Sequence, residues 1–300
     1  MAMMEAANRK PFMVRLKSSN LIVHIVLMFF SILALIPFLM LVSASFSSEA
    51  GLGKNGYSLV PQDFSLGAYE YLFNDFGQIL NSYFITVVVS FVGSGLGLLI
   101  MSMLAFALSR RDFKLRKPLA FYVFFTMLFN GGLVPWYILI TQYLHLKNTI
   151  FALILPYLVV PWFVLLLRTY FAGLPAELFE AAKIDGAGEW RIFFQIVVPL
   201  STPALATIGL FSLLQYWNDW WLSLLFIDDK SLYPLQYLLY TIQSNIDAIS
   251  QNPDMNMGVV IPTQGVRMAM AVLAIGPIIF AFLFVQRYFV KGITLGGIKE

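Results

Sequence analysis

The chain has little charge for its length. Only 12% of its 300 residues are Asp, Glu, Lys or Arg, whereas 59% are hydrophobic. Soluble domains carry about 25% charged residues. A chain with so few charges cannot cover its surface in water, so the composition predicts a membrane protein surrounded by lipid. The net charge of +3 is too small to indicate nucleic-acid binding.

Cysteine is absent, and histidine occurs only twice. The lack of cysteine excludes disulfides, thiolate metal sites and thiol catalysis. His24 and His145 lie on separate segments and cannot form an H-x-x-x-H metal pair. The pair Asp228-Asp229 could hold calcium, but a solvated turn is the simpler interpretation. We therefore expect no metal site.

A nucleotide-binding P-loop is also missing. The nearest candidate is Gly53-Lys54, but Ser48 stands where the first glycine belongs and Asn55 stands where Ser or Thr belongs. No nucleophile–base arrangement is evident either. The sequence therefore predicts that this chain is not an enzyme in its own right and holds no cofactor.

What the sequence has in quantity is long apolar runs. Stretches without a charged residue cover 18–48, 76–109, 118–146, 148–167, 192–218 and 268–286. About 20 apolar residues cross a bilayer as a helix, and a helix satisfies its own backbone in lipid. We predict an all-α, polytopic membrane protein forming a single transmembrane domain over 1–300. Its six spans are expected at about 20–45, 79–109, 119–144, 148–169, 195–225 and 268–289.

One further uncharged stretch, 231–246, is too short and too polar for a crossing. It contains Pro234, Gln236, Gln243 and Asn245. We expect a helix that packs on the external face or dips into it. A seventh span is the alternative.

The basic residues predict the orientation. Fifteen of the 19 Lys and Arg residues fall in the N-terminal arm, the 110–117 loop, the 168–191 loop and the C-terminal end. Because cytoplasmic loops carry the excess of Lys and Arg, both termini and the 168–195 loop are predicted to be cytoplasmic. The segments 49–75 and 227–267 are predicted to face outward.

The cytoplasmic segment 175–195 has the signals of two short helices. Pro175 suits the first turn of a helix, and Glu177 opposes the helix dipole there. Gly186 stands where the helix should stop, and a second helix should begin near Glu189. Leu178, Ala181 and Ala182 would form one shallow apolar face. A partner could bind this face, or the helix could simply lie on lipid headgroups.

A sequence motif in this segment favours the first alternative. Glu180-Ala181-Ala182, Gly186, Ile196 and Pro199 have the spacing of the EAA motif. The segment thus resembles the coupling helix of ABC importer permeases, which inserts into the ATP-binding subunit. Val198 is the one departure, since the motif usually has Leu there. The resemblance implies coupling to an ATPase through Glu180, Ala181, Ala182, Lys183, Asp185, Gly186 and Ala187.

The resemblance covers nearly the whole chain. The run 215–221, which contains Trp217, Asn218 and Trp220, resembles the W-N-x-[WF] segment of carbohydrate permeases. The tail from Gly276 to Gly296 resembles the end of the same family. The chain is similar to the maltose-type second permease subunit, within the branch that serves oligosaccharide and polyuronide importers, alginate importers among them.

Membership of that family implies the ABC type I importer permease fold and a set of partners. These are a homologous second permease subunit, two ATP-binding subunits that hold ATP and Mg, and an extracytoplasmic solute-binding protein. The implied location is the bacterial cytoplasmic (inner) membrane. The alternative is a secondary carrier that works alone, but the near absence of charge within the spans argues against ion coupling.

Aromatic and polar residues in the spans are candidates for a sugar pathway. Aromatic rings stack on sugar faces, while amides and carboxylates bond the hydroxyls. The candidates are Tyr216, Trp217, Asn218, Asp219, Trp220 and Trp221 in the fifth span, and Trp136, Tyr137, Tyr157 and Trp162 in the third and fourth. An aromatic belt at the interface, or simple packing, is the alternative for each.

The outward-facing loop before the last span is a candidate for contact with the solute-binding protein. The stretch from Asn245 to Thr263 is polar and includes Gln251, Asn252 and Asp254. In the family, such a loop reaches toward the binding protein. A solvated connector is the alternative.

Overall fold

The computed structural model describes residues 18–61, 63–251 and 262–296, and in these ranges the regular structure is helical. The helices are α1 Ser18–Ser45, α2 Glu49–Asn55, α3 Gly67–Leu72, α4 Phe76–Ser109, α5 Arg116–Leu128, α6 Leu133–Ile138, α7 Ile150–Ile154, α8 Pro161–Ala172, α9 Ala176–Ile184, α10 Glu189–Ile192, α11 Val198–Leu200, α12 Thr202–Trp217, α13 Trp221–Phe226, α14 Leu235–Gln251 and α15 Thr263–Gly296. Pairing between extended segments is limited there to one isolated bridge, between Ser47 and Phe64. The all-α prediction is confirmed.

Several of the predicted spans are interrupted. The segments Val23–Ser45 and Gly67–Ser109 are each long and apolar enough to cross a membrane. Three further pairs qualify only if each bent pair is one span: Arg116–Leu128 with Leu133–Tyr143, Ile150–Tyr157 with Pro161–Ala172, and Glu189–Leu200 with Thr202–Trp217. They bend by 113°, 47° and 84°. The sixth predicted span lies within α15.

The boundaries of the fifth span differ from the prediction. The sequence placed its start near 195 and gave Pro199 the opening position. In the structure, Glu189–Leu200 is one helical stretch, and it turns by 84° before α12 begins at Thr202. Pro203 occupies the first turn of α12, where a missing N–H costs no hydrogen bond.

The helix α4 is the central element and packs against α5, α8, α12 and α14. Small residues make its close contacts possible. A Cβ added at Gly93 would lie 2.6 Å from the Tyr216 ring, and one at Gly97 would lie 2.9 Å from the Leu158 carbonyl oxygen. Small residues at helix crossings are how membrane helices approach closely, because lipid gives no hydrophobic drive for association.

Three clusters of buried side chains hold the helices together. The first joins α4, α8, α9, α10 and α12 around Met101, Leu167 and Phe193. The second joins α4, α7, α12 and α13 around Val89, Leu153 and Phe226. The third joins α3, α4, α14 and α15. The predicted helix at 231–246 is therefore α14, which buries Leu235, Leu239 and Ile246 in the third cluster.

At its start, α15 is fixed to the α1–α2 corner by one carboxylate. Glu49 accepts hydrogen bonds from the Thr263 hydroxyl and from the backbone N–H groups of Gln264 and Gly265, at 3.0 to 3.2 Å. These bonds satisfy N–H groups that the first turn of a helix leaves without acceptors. Of the residues expected to contact the solute-binding protein, Thr263 thus has its hydroxyl engaged within the chain. Asn252 and Asp254 lie outside the described residues.

Replacing Gly93 by Ala should destabilise the protein. The Tyr216 ring cannot move aside easily, because its hydroxyl donates to the Ile154 carbonyl at 2.7 Å. We expect a cost of about 1–3 kcal/mol, which thermal unfolding of the purified protein in detergent would register as a lower midpoint. Gly95→Ala in the same helix is the matched control, because a Cβ there meets nothing within 4 Å. An equal midpoint for the two variants would show that the contact is not tight.

Candidate functional site: a coupling segment and a broken-helix cleft

The segment that carries the predicted coupling motif forms two helices below the ends of α4 and α8. The first is α9, Ala176–Ile184, and Glu177 lies in its first turn as predicted. Pro175 stands one position before the first turn, as the N-cap residue. The second helix, α10, begins at Glu189 as predicted.

Gly186 ends α9 through a Schellman motif. Its φ of +76° is a left-handed conformation that favours glycine. The Ala187 N–H donates to the Ala182 carbonyl at 2.9 Å, and the Gly186 N–H donates to the Lys183 carbonyl at 3.0 Å. Ala182 and Ala187 also pack in the same apolar cluster, as this motif commonly requires. The Gly186 of the motif therefore determines where α9 ends.

The two alanines of the motif differ in exposure. Ala182 is only 8% exposed and packs into the first apolar cluster, whereas Ala181 is exposed. The prediction that Leu178, Ala181 and Ala182 form one apolar face for a partner is therefore wrong for Ala182, which is buried. The sequence analysis also missed Ile184, which is 86% exposed and lies beside Ala181 and Asp185 near the helix end. The signal available in the sequence was the apolar residue Ile184 at the end of the predicted helix.

Four charged side chains fasten α9 and α10 to the end of α4. The Lys183 Nζ lies 2.6 Å from Asp112 Oδ2 and 3.2 Å from Glu189 Oε1. The Arg110 guanidinium lies 3.2 Å from Asp112 and 3.7 Å from Glu189. It also lies 4.7 Å from the ring centre of Phe179 on α9, a cation–π contact. We call Arg110, Asp112, Lys183 and Glu189 the charge cluster.

The charge cluster shifts the ionisation of its members. The hydrogen bond from Lys183, followed by the charge of Arg110, holds the pKa of Asp112 below its ordinary value despite partial desolvation. Hydrogen bonds to Asp112 and Glu189 raise the pKa of Lys183. Both shifts favour the charged forms of Asp112 and Lys183. A single exposed ion pair contributes little to stability. A network that includes the nearly buried Arg110 side chain holds α9 and α10 in place better. The Lys183 side chain therefore forms ion pairs within its own chain, whereas Glu180 and Asp185 remain exposed.

The predicted sugar-pathway residues of the fifth span divide into buried and exposed groups. Tyr216 and Trp217 are buried, and their polar atoms donate to the carbonyls of Ile154 and Ala274. Asp219 accepts from the Tyr157 hydroxyl at 2.9 Å and from the Leu222 N–H at 3.1 Å, so it caps α13. The exposed members are Asn218, Trp220 and Trp221. Most polar atoms of this run are thus used to hold the helix break together.

The aromatic candidates do not form one group. Trp220 stacks on Tyr240 of α14 at 4.5 Å, and Trp162 is exposed on α8. Trp136 instead borders a cleft of about 580 Å³ together with Tyr157, Trp221 and the Asn130–Gly132 turn. Nothing in the sequence reasoning pointed to Asn130 or Gly131. The signal available was the Asn-Gly-Gly run in the middle of the third predicted span.

The acidic pair Asp228-Asp229, in the loop after α13, makes contacts within the chain. Asp228 lies 2.7 Å from Lys147, and Asp229 accepts from the Ser231 N–H. Among the described residues no group of three or more His, Asp or Glu side chains could hold a metal ion.

Apolar broken helices packed beside a charged two-helix segment are typical of a membrane transport permease. The comparisons with known proteins agree. A family model described as binding-protein-dependent transport system inner membrane component matches residues 7–295. The chain belongs to this family. It is a multi-pass inner-membrane component of a binding-protein-dependent ABC importer, it is not the catalytic subunit, and the family implies ATPase and binding-protein partners.

Individual relatives match over nearly their full length. The chain is 36% identical to the polygalacturonan/rhamnogalacturonan transport system permease protein YtcP of Bacillus subtilis (strain 168), over 93% of this chain and 98% of the relative. It is 34% identical to the arabinooligosaccharides transport system permease protein AraQ of Halalkalibacterium halodurans, over 90% and 93%. A chain in the crystal structure of a bacterial ABC transporter involved in the import of the acidic polysaccharide alginate matches with a TM-score of 0.77 and 29% identity, covering 93% of this chain and 100% of that chain.

Gly186→Ala should lower stability through backbone strain alone. A Cβ at Gly186 meets nothing within 4 Å, so the left-handed φ is the only cost, about 1–2 kcal/mol. The matched control is Gly53→Ala in α2, whose Cβ also meets nothing and whose backbone is helical. Thermal unfolding in detergent should show a lower midpoint for Gly186→Ala only. Equal midpoints would contradict the assigned role of Gly186.

Proposed function

We propose that this chain is a permease subunit of an ATP-driven importer for oligosaccharides, acidic ones included, that works by alternating access. The exposed tip of α9, bearing Glu180, Ala181 and Ile184 on a rigidly terminated helix, is the observation that carries the coupling role. The substrate class is supported by relatives named for polygalacturonan, rhamnogalacturonan and arabinooligosaccharide transport, and by the likeness to an alginate importer.

The proposed complex contains a homologous second permease subunit, two ATP-binding subunits that hold ATP and Mg, and an extracytoplasmic solute-binding protein. Both termini of this chain lie in the cytoplasm, as the distribution of Lys and Arg predicts. In this arrangement α9 enters a groove of one ATP-binding subunit. The small Ala181 lets the backbone approach, Ile184 supplies apolar contact, and Glu180 and Asp185 fix the register.

Movement of α9 would reach the membrane helices by two physical connections. The charge cluster joins α9 and α10 to Arg110 and Asp112 at the end of α4. The buried Ala182, Ile192 and Phe193 pack in the same cluster as Met101 of α4 and Leu167 of α8. A packed core moves as a unit. ATP binding would therefore shift the cytoplasmic ends of α4 and α8 together with the coupling segment.

Contact with the solute-binding protein is assigned to the external end of α14 and the loop after it. Asn245 is exposed and borders a cleft of about 310 Å³ with Tyr71, Asp75 and Lys230. Gln251 ends α14, and Asn252 and Asp254 follow it in sequence. Thr263 contributes indirectly, since its bond to Glu49 fixes where the loop returns to α15.

The coupling role predicts that Ala181→Glu weakens attachment of the ATP-binding subunits. A charged, longer side chain at the closest approach should reduce the ATPase that co-purifies with the membrane complex by about tenfold, a loss of about 1.4 kcal/mol. The matched control is Ala50→Glu, the same change at an exposed helical alanine on the predicted external side. The coupling role is refuted if both variants retain wild-type amounts of ATPase while the protein remains folded.

The substrate class is tested on the matching solute-binding protein together with the reconstituted complex. Calorimetric binding of trigalacturonate and arabinotriose would separate acidic from neutral specificity. The proposal expects one of these sugars to bind and to raise ATPase activity in vesicles that contain the full set of subunits. If neither sugar, nor an alginate trisaccharide, binds or stimulates, the assignment to oligosaccharides fails.

A further inference from the structure

Three helix interruptions meet at the cleft bordered by Trp136. The α5–α6 break contributes the Asn130–Gly132 turn, the segment between α7 and α8 contributes Tyr157, and the first residue of α13, just after the α12–α13 break, is Trp221. Discontinuous helices in transporters commonly surround a binding site, because irregular backbone is tolerated at membrane depth only inside protein or around a water-filled cavity.

Two of these interruptions are satisfied by the chain itself. In the second, the Leu158 N–H bonds the Leu155 carbonyl and the Val160 N–H meets the sulfur of Met101 at 3.3 Å. In the third, the N–H groups of Asn218 and Asp219 bond carbonyls of α12, and Asp219 itself caps the next helix. Exceptions include the N–H groups of Val159 and Trp220, which have no acceptor among the described residues, but neither residue borders the cleft.

The first interruption is different. The Gly132 N–H donates to Asn130 Oδ1 at 2.8 Å, but the N–H groups of Asn130 and Gly131 have no protein acceptor among the described residues. All three residues are exposed. A buried N–H without an acceptor costs several kcal/mol in hydrocarbon, so this turn cannot face lipid tails.

The predicted topology, with α5 along the membrane normal, nevertheless places the turn at membrane depth. The helix α5 has 13 residues from Arg116 to Leu128, which is a length of about 20 Å at 1.5 Å per residue. Arg116 belongs to the basic loop at the cytoplasmic surface, and the hydrocarbon core is about 30 Å thick. The Asn130–Gly132 turn is therefore inside the hydrocarbon region, roughly 10 Å from its outer edge.

We infer that this cleft is an oligosaccharide-binding subsite in the translocation pathway, an inference that rests on the proposed function. The backbone N–H groups of Asn130 and Gly131 would donate to sugar hydroxyls or to a uronate carboxylate. Trp136 and Trp221 would offer ring faces to the apolar side of the sugar. The Tyr157 hydroxyl, which already donates to Asp219, can still accept from a sugar hydroxyl.

Water access to the turn is the first test, and the chain is suited to it because it contains no cysteine. A Cβ at Gly131 meets nothing within 4 Å, so Gly131→Cys should be tolerated. In inner-membrane vesicles that contain the full complex, a charged, membrane-impermeant methanethiosulfonate should modify this cysteine, since thiols react as thiolates in water. The control is Leu96→Cys, an exposed position on α4 that does not border the cleft and lies 13 residues, about 20 Å, from the Ser109 end of that helix, which is a similar depth. Absence of modification at Gly131→Cys, or equal modification at both sites, overturns the subsite.

Sugar contact is the second test. Uptake of trigalacturonate and arabinotriose is measured in vesicles at saturating loaded binding protein, with ATPase activity read in the same preparation. Trp221→Ala should lower uptake of the transported sugar about tenfold, because no ring remains there to stack on the sugar, while binding-protein-stimulated ATPase persists. Asn130→Asp keeps the acceptor for Gly132 but adds negative charge, so it should lower uptake of trigalacturonate more than that of arabinotriose. Phe84→Ala is the control for removal of an exposed aromatic side chain.

The two readouts separate the two proposals. Wild-type vesicles in which loaded binding protein does not stimulate ATPase would overturn the importer function and, with it, the subsite. Stimulated ATPase with undiminished uptake by both Trp221→Ala and Asn130→Asp would overturn the subsite alone.

Discussion

A peptide N–H group without an acceptor cannot remain in hydrocarbon, and this constraint governs where the chain interrupts its helices. The unbroken helices α1 and α4 satisfy their backbones within one segment. The broken segments instead lie against α4 or against one another. At the α7–α8 break, Gly97 lets the Leu158 carbonyl approach α4, and Met101 supplies a sulfur acceptor for Val160. The small and soft residues of α4 thus permit the interruptions that surround it.

The same constraint explains why so many polar side chains in the spans are structural. Tyr216, Trp217 and Asp219 have the chemistry of a sugar site, yet each holds a carbonyl or a helix start in place. A ligand would have to compete with these bonds. The Asn130–Gly132 turn has few polar side chains but leaves the N–H groups of Asn130 and Gly131 without acceptors among the described residues. Unused hydrogen-bonding capacity is therefore a better guide to a pathway in this chain than polar residue type.

Sequence reasoning succeeded where a single physical rule decides the outcome. Gly186 correctly predicted the end of α9, and Glu189 correctly predicted the start of α10. It failed where tertiary contacts decide. The bend at Ser201 and the break after Leu128 fall inside uncharged runs, so hydropathy alone could not reveal them. The inward position of Ala182 likewise depends on the cluster beneath α9, because an alanine fits either face of a helix.

The coupling segment shows how one short motif can divide its residues between two tasks. Ala182, Lys183 and Gly186 are engaged within the chain, through the apolar cluster, the charge cluster and the Schellman motif. Glu180, Ala181, Ile184 and Asp185 are exposed. A helix of nine residues would be marginally stable alone, since isolated helices of this length seldom form in water. The engaged residues therefore give the segment the rigidity that the proposed coupling role requires, and under that proposal a change in either group would disturb coupling for a different physical reason.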